Sequence, residues 1–151
     1  MGDTLLRRKD WCLLVLAAAQ GAPLQPVQLQ KSLFLIGENV KPVESGLSVN
    51  FYAFEPYDYG PFDSNVYADA EELQREGLAY ITQHPHRSYR QYAATNLGLQ
   101  RANEIESRLP AGVCEYVRSV VQWALPRSFN EIVRTIYRQY PAQRARSVFN
   151  G

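Results

Sequence analysis

A chain of 151 residues with 46% apolar side chains is long enough to bury one core and too apolar to stay disordered. A formal net charge of +1 lacks the basic bias of a dedicated nucleic-acid binder. Its two cysteines, Cys12 and Cys114, sit among apolar residues with no CxxC spacing, which reads as buried reduced thiols rather than a disulfide framework.

The opening stretch, MGDTLLRRKDWCLLVLAAAQGAP, runs basic, apolar, small, the outline of a secretory signal peptide. Asp3 and Asp10 interrupt that outline. The alternative is a first core helix capped near Asp3, ending at Gly21 and stopped by Pro23, and it is the reading taken. The apolar run is too short to cross a bilayer. No membrane partner is therefore expected, and the chain is placed in the cytoplasm.

A second helix is predicted from Pro26, a residue suited to a first helical position, to between Gly37 and Val40. Val27, Leu29, Leu33, Phe34 and Ile36 form its apolar side. In NFYAFEPYDYGPF, Pro56, Gly60 and Pro61 forbid a long helix. A short strand is predicted over Phe51–Phe54, then a tight structural turn at Tyr59, Gly60, Pro61 and Phe62. The crowded aromatics Tyr52, Phe54, Tyr57, Tyr59 and Phe62 read as core, with base stacking as the competing use. Asp63 or Ser64 caps a third helix carrying Val66, Ala70 and Leu73 at helical spacing, and Gly77 ends it.

Two β-prone runs, Leu78–Thr82 and Tyr89–Thr95, flank QHPHRS and predict a hairpin with a polar tip. Helices follow over Leu97–Leu109, Ala111–Leu125 and Phe129 to about Tyr140. The last is opened by a Ser128/Glu131 capping box. The order, helices followed by a hairpin, is that of a mainly α, winged-helix-like single domain over residues 1–151 with a small β-hairpin wing.

Two distant stretches carry a family likeness. LQKSLFLIG followed by YDYGPFDSNVYADAEELQREGL resembles the Panacea domain and the related YwgA-like proteins, and IVRTIYRQYPAQRARSVF resembles that family's closing segment. The Panacea domain is known from prokaryotic and phage-borne antitoxins of the SocA type. The resemblance implies a mostly helical intracellular protein that binds another protein, such as a toxin, with no catalytic residue to carry over.

The residues themselves pose a puzzle at the third helix. Asp63, Asp69, Glu71, Glu72 and Glu76 stand against Arg75, a net −4. Phosphates repel such a helix, and reading bases in the major groove needs donors. A solvated acidic face is the plain alternative. The functional reading is a stripe of Asp69, Glu72 and Glu76 that meets a basic protein partner, or the Arg134 and Arg138 face of a second copy in a homodimer. Nucleic-acid contact would fall to Arg87, Tyr89 and Arg90 at the wing and to Arg134 and Arg138 near the end. His84 and His86 share one side of a strand, but two ligands do not make a metal site. GxSxG, P-loop, HExxH and GxGxxG patterns are absent. No metal, cofactor or enzymatic activity is therefore assigned. The expected function is a non-catalytic, antitoxin-like protein-binding module, with a winged-helix DNA-binding transcription regulator as the alternative.

Overall fold

A computed structural model describes residues 5–151. The expected cap at Asp3 lies outside the described residues. In chain order the elements are α1 (Arg8–Ala18), α2 (Pro26–Val40), β1 (Glu55–Tyr57), β2 (Gly60–Phe62), α3 (Asn65–Arg75), β3 (Ala79–Gln83), β4 (Arg90–Ala94), α4 (Asn96–Glu106), α5 (Ala111–Ala124) and α6 (Phe129–Gln139), followed by a 3-10 turn at Pro141–Arg144. The protein is mainly helical, with two small antiparallel hairpins, β1–β2 and β3–β4.

α1 starts later than the sequence suggests. Leu6 is held in a bridge to the loop after α2, with Leu6 N donating to Leu47 O and Val49 N donating to Leu6 O. The Asp10 carboxylate then accepts from Arg7 N, closing the first turn. Every residue from Trp11 to Leu16 is buried, so the apolar run is a core helix. The Trp11 indole donates to Ser48 Oγ at 3.1 Å, which satisfies its only polar group.

α2 is the centre of the fold. Its residues Val27 to Ile36 are all buried, because α1, α5, α6 and β2 surround it. Four of the ten are polar, and burying such groups is costly unless they are paired. The Gln28 amide donates to the carbonyls of Ala124 and Leu125 at the end of α5, where helical carbonyls lack intrahelical partners. Gln30 and Lys31 reach the β1–β2 region. Ser32 Oγ has no hydrogen-bond partner among the described residues.

The strand expected at Phe51–Phe54 does not form. Ala53 N donates to the Asp63 carboxylate instead of a ladder carbonyl, and pairing begins at Glu55, opposite Phe62. The β3–β4 hairpin matches its expected place, pairing Ala79 with Ala94 through Gln83 with Arg90. It is braced by α3, whose Gln74 side-chain Oε1 accepts from Ile81 N at 2.7 Å. Leu24, between α1 and α2, exchanges two backbone hydrogen bonds with Tyr92 of β4. The expected Ser128/Glu131 capping box opens α6. Cys12 and Cys114 are buried and unpaired. Among the described residues, no helix is long and apolar enough to cross a membrane.

Candidate functional site

The charge puzzle at α3 resolves inside the chain. α3 packs on α1 and β3, turning Val66, Asp69, Ala70 and Leu73 inward. Asp69 accepts from Arg8 Nε at 3.0 Å and from the Tyr52 hydroxyl at 2.6 Å. Around it three carboxylates have cations, Glu76 with Lys9, Glu72 with Arg75, and Glu71 with Arg90, and the Asp63 carboxylate accepts from the backbone N–H groups of Ala53 and Asn65. The stripe expected to face a partner is therefore divided. Glu72 and Glu76 are at the surface, whereas Asp69 is buried because it falls at helical spacing between Val66 and Leu73. The Glu72 carboxyl is held below its usual range by the hydrogen bond from Arg75.

In the β3–β4 hairpin, Arg87 is exposed at the tip. Tyr89 packs its ring against His84, with centroids 5.1 Å apart. Arg90 lies over the Tyr92 ring at 5.9 Å while pairing with Glu71. Arg134 and Arg138 are exposed on α6, with no ion pair among the described residues. His84 Nδ1 accepts from His86 N, which fixes the tip. Among the described residues, no group of three His, Cys, Asp or Glu side chains converges in a way that could hold a metal ion.

Several distant segments converge at the β1–β2 hairpin. Gly60 has φ +99°, a conformation disfavoured for residues with a side chain. From the buried helix α2, the Lys31 ammonium donates to Pro61 O at 3.1 Å. Gln30 grips Asp63 at both its backbone N–H and its carbonyl. The chain's last residues close over the other side. Val148 N and Ser147 Oγ both donate to Asp58 O, the Tyr137 hydroxyl donates to Ser147 Oγ, and Arg146 lies over the Tyr57 ring. The LQK stretch, the YGPF turn and the final segment thus meet in one place. Family models, curated proteins and solved structures give no match to this chain.

The hairpin differs from its expected role as core alone. Gly60 and Pro61 are buried, and Phe62 is half-buried. Tyr57, Tyr59 and Phe129 are exposed. Tyr59 meets Phe129 edge-on at 5.0 Å, and Tyr57 stacks on Phe62 at 5.1 Å. A cavity of about 270 Å³ opens among these rings, with Lys31 in its lining. Sequence reasoning missed Gln30, Lys31 and Phe129. The signal available was the pair of polar residues at positions 30 and 31, interrupting a helix otherwise rich in large apolar side chains.

Gly60→Ala is expected to lose about 1–3 kcal/mol, because alanine must adopt a conformation that only glycine takes readily. Its Cβ would also sit 3.3 Å from the Tyr137 ring. Thermal unfolding checks this, and an unchanged melting temperature would contradict it.

Burial pushes the Lys31 ammonium down from 10.5 to about 8. Between those two values the unfolded chain binds a proton that the folded chain does not, so stability rises with pH. Burial pushes Tyr67 up to about 12. Such tyrosines release protons first in the unfolded chain, so stability falls above about pH 10. Urea unfolding is expected to show a rise between pH 8 and 10 that Lys31→Met lacks.

Proposed function

We propose that the chain is a non-catalytic protein-binding module with an antitoxin-like regulatory role, and that it docks its partner on the exposed aromatic face of the β1–β2 hairpin. The observation that carries this reading is the exposure of Tyr57 and Tyr59 on a rigidly braced hairpin, with Phe129 of α6 exposed and edge-on to Tyr59. Large aromatics at such positions anchor interfaces, since they bury much area at little conformational cost. The hairpin's backbone is gripped from both sides, so little ordering remains for binding to do. The antitoxin-like role, a prokaryotic or phage setting and a cytoplasmic location rest on the resemblance of LQKSLFLIG and YDYGPF to the Panacea domain. With the α3 carboxylates paired inside the chain, the docking surface moves from the acidic stripe to the hairpin.

A winged-helix DNA-binding regulator is the second reading. It is favoured by the Leu24–Tyr92 bridge, which gives the β3–β4 wing a third strand position, and by Arg87 at the wing tip. Against it, residues 41–64 separate α2 from α3 where a helix-turn-helix has a short turn. α3 also carries carboxylates where phosphates would lie.

The two readings part under one comparison. In cells that express the chain, a Tyr57→Ser/Tyr59→Ser double variant with native circular dichroism should lose a co-purifying protein that wild type and Tyr80→Ser both retain. Retention by the double variant, together with tight sequence-selective duplex binding abolished by Arg87→Ala, would replace the protein-binding reading with the regulator.

A further inference from the structure

The Lys31 side chain stands in an unusual position. It is 5% exposed, yet it lines the cavity among the hairpin rings. Its one hydrogen bond, to Pro61 O, engages one of three ammonium protons. No carboxylate pairs with it among the described residues. A buried charge without a counter-ion is costly, and methionine would fill the same space at lower cost. The cavity around it is walled by Tyr57, Tyr59, Phe62, Tyr67 and Phe129. Only Asp58 among the lining residues is a carboxylate, and it sits exposed at the hairpin tip. The other ionisable groups nearby are the hydroxyls of Tyr57, Tyr59, Tyr67 and Tyr137, with Arg144 and Arg146 stacked outside on Tyr137 and Tyr57. A buried lysine in the lining of an aromatic-walled hollow supplies the two parts needed to hold an anion carried on an apolar body.

We propose that this cavity is a carboxylate-binding site, in which Lys31 pairs with the carboxylate and the ring wall takes the aromatic or aliphatic group that carries it. The volume of about 270 Å³ suits one ring or a short chain and is small for a nucleotide. Two sources present this chemistry: a small free carboxylic acid, and the C-terminal carboxylate of a peptide ending in an apolar residue. Binding would supply the counter-ion that the fold withholds, and so would stabilise the protonated ammonium. The inference goes beyond the partner reading, because a free acid can fill the cavity whether or not a protein docks on the hairpin.

The chain has three lysines, Lys9, Lys31 and Lys41, so carbon-13 labelling of lysine allows each side chain to be followed by NMR. The probes are phenylacetate, phenylacetamide, N-acetyl-Gly-Phe and its C-terminal amide. Phenylacetate or the free-acid peptide is expected to move the Lys31 signal saturably at millimolar concentration or below. The bound acid is expected to raise the Lys31 pKa by at least one unit and to leave Lys9 and Lys41 unmoved. Both amides are expected to bind at least tenfold more weakly. Saturation by phenylacetate alone identifies a free acid as the source, and saturation by the peptide alone identifies a chain terminus. Calorimetry with Lys31→Met, folded by circular dichroism, is expected to show no saturable binding of the acid that wild type takes. Failure of both acids to saturate Lys31, or equal binding of acid and amide, overturns the proposal. The NMR titration of wild type decides this even if Lys31→Met does not fold. Loss of acid binding in Lys31→Met with the Tyr57/Tyr59-dependent partner retained would separate this site from the docking surface.

Discussion

Asp69→Ala is expected to destabilise the fold by about 3 kcal/mol, the order observed when one partner of a buried charged pair is removed. The substitution leaves the Arg8 guanidinium and the Tyr52 hydroxyl without their acceptor. Burial raises the Tyr52 pKa far above its ordinary value, with neighbouring Cys12 and Asp69 adding to it. The hydroxyl therefore stays a donor that needs an acceptor. The Arg8 side chain keeps 31% exposure, so water recovers part of its loss and the cost falls at the low end of that range. Asp69→Asn keeps an acceptor and is expected to cost less. Urea unfolding measures both, and a double-mutant cycle with Arg8→Met should return a coupling of about 1 kcal/mol or more. Glu72 and Glu76 lie at the surface, where water screens their ion pairs and lysine substitutions should change stability far less than the change at Asp69. A charge reversal across all three carboxylates would therefore report on folding rather than on association. A small effect at Asp69 would contradict its buried role.

Gly98→Ala is expected to cost about 3 kcal/mol or more, the upper range for overpacking. Gly98 lies in the first turn of α4, where its N–H donates to the Thr95 hydroxyl at 3.0 Å. A methyl group there would overlap the carbonyl oxygen of Leu78. That oxygen cannot give way cheaply, since it accepts from Thr95 N while Leu78 N donates to Leu73 O. The same hydrogen bonds tie α3, the β3–β4 hairpin and α4 together, so α4 must slide or the hairpin must tilt. Leu13 Cδ1, at 3.4 Å from the new Cβ, blocks the other side. Chemical denaturation checks the result, and native stability in Gly98→Ala would mean that the junction between α4 and the β3–β4 hairpin is looser than this packing.

Helix placement was legible wherever local chemistry decided it. Pro26 opens α2, Ser128 and Glu131 cap α6, and Gly77 ends α3 with φ +77°. The β3–β4 hairpin followed from two β-prone runs around a polar tip. What stayed hidden depended on contacts between distant segments. Phe51–Phe54 has the composition of a strand, but the Asp63 side chain takes Ala53 N and no ladder forms. Asp69 was grouped with Glu72 and Glu76 by charge, although its spacing from Val66 and Leu73 places it on the buried side. Tyr57 and Tyr59 were grouped with the core by composition. A hairpin has two faces, though, and only one of them packs on α2. Lys31 could not be located from α2 alone, because helical periodicity does not tell which polar residue a neighbouring hairpin will cover. Its pairing with Pro61 spans 30 residues of sequence.

The proposed role of the hairpin's aromatic face is to meet a protein. Site-specific photo-crosslinking in living cells tests it most directly, with benzoylphenylalanine in place of Tyr59 and, as control, in place of Tyr80, which is exposed to a similar degree on β3. A discrete protein adduct at position 59 and none at position 80 is the expected result, and its mass distinguishes another protein from a second copy of the chain. Absence of an adduct at position 59, with nucleic acid trapped by the same group placed at Arg87, would contradict the account.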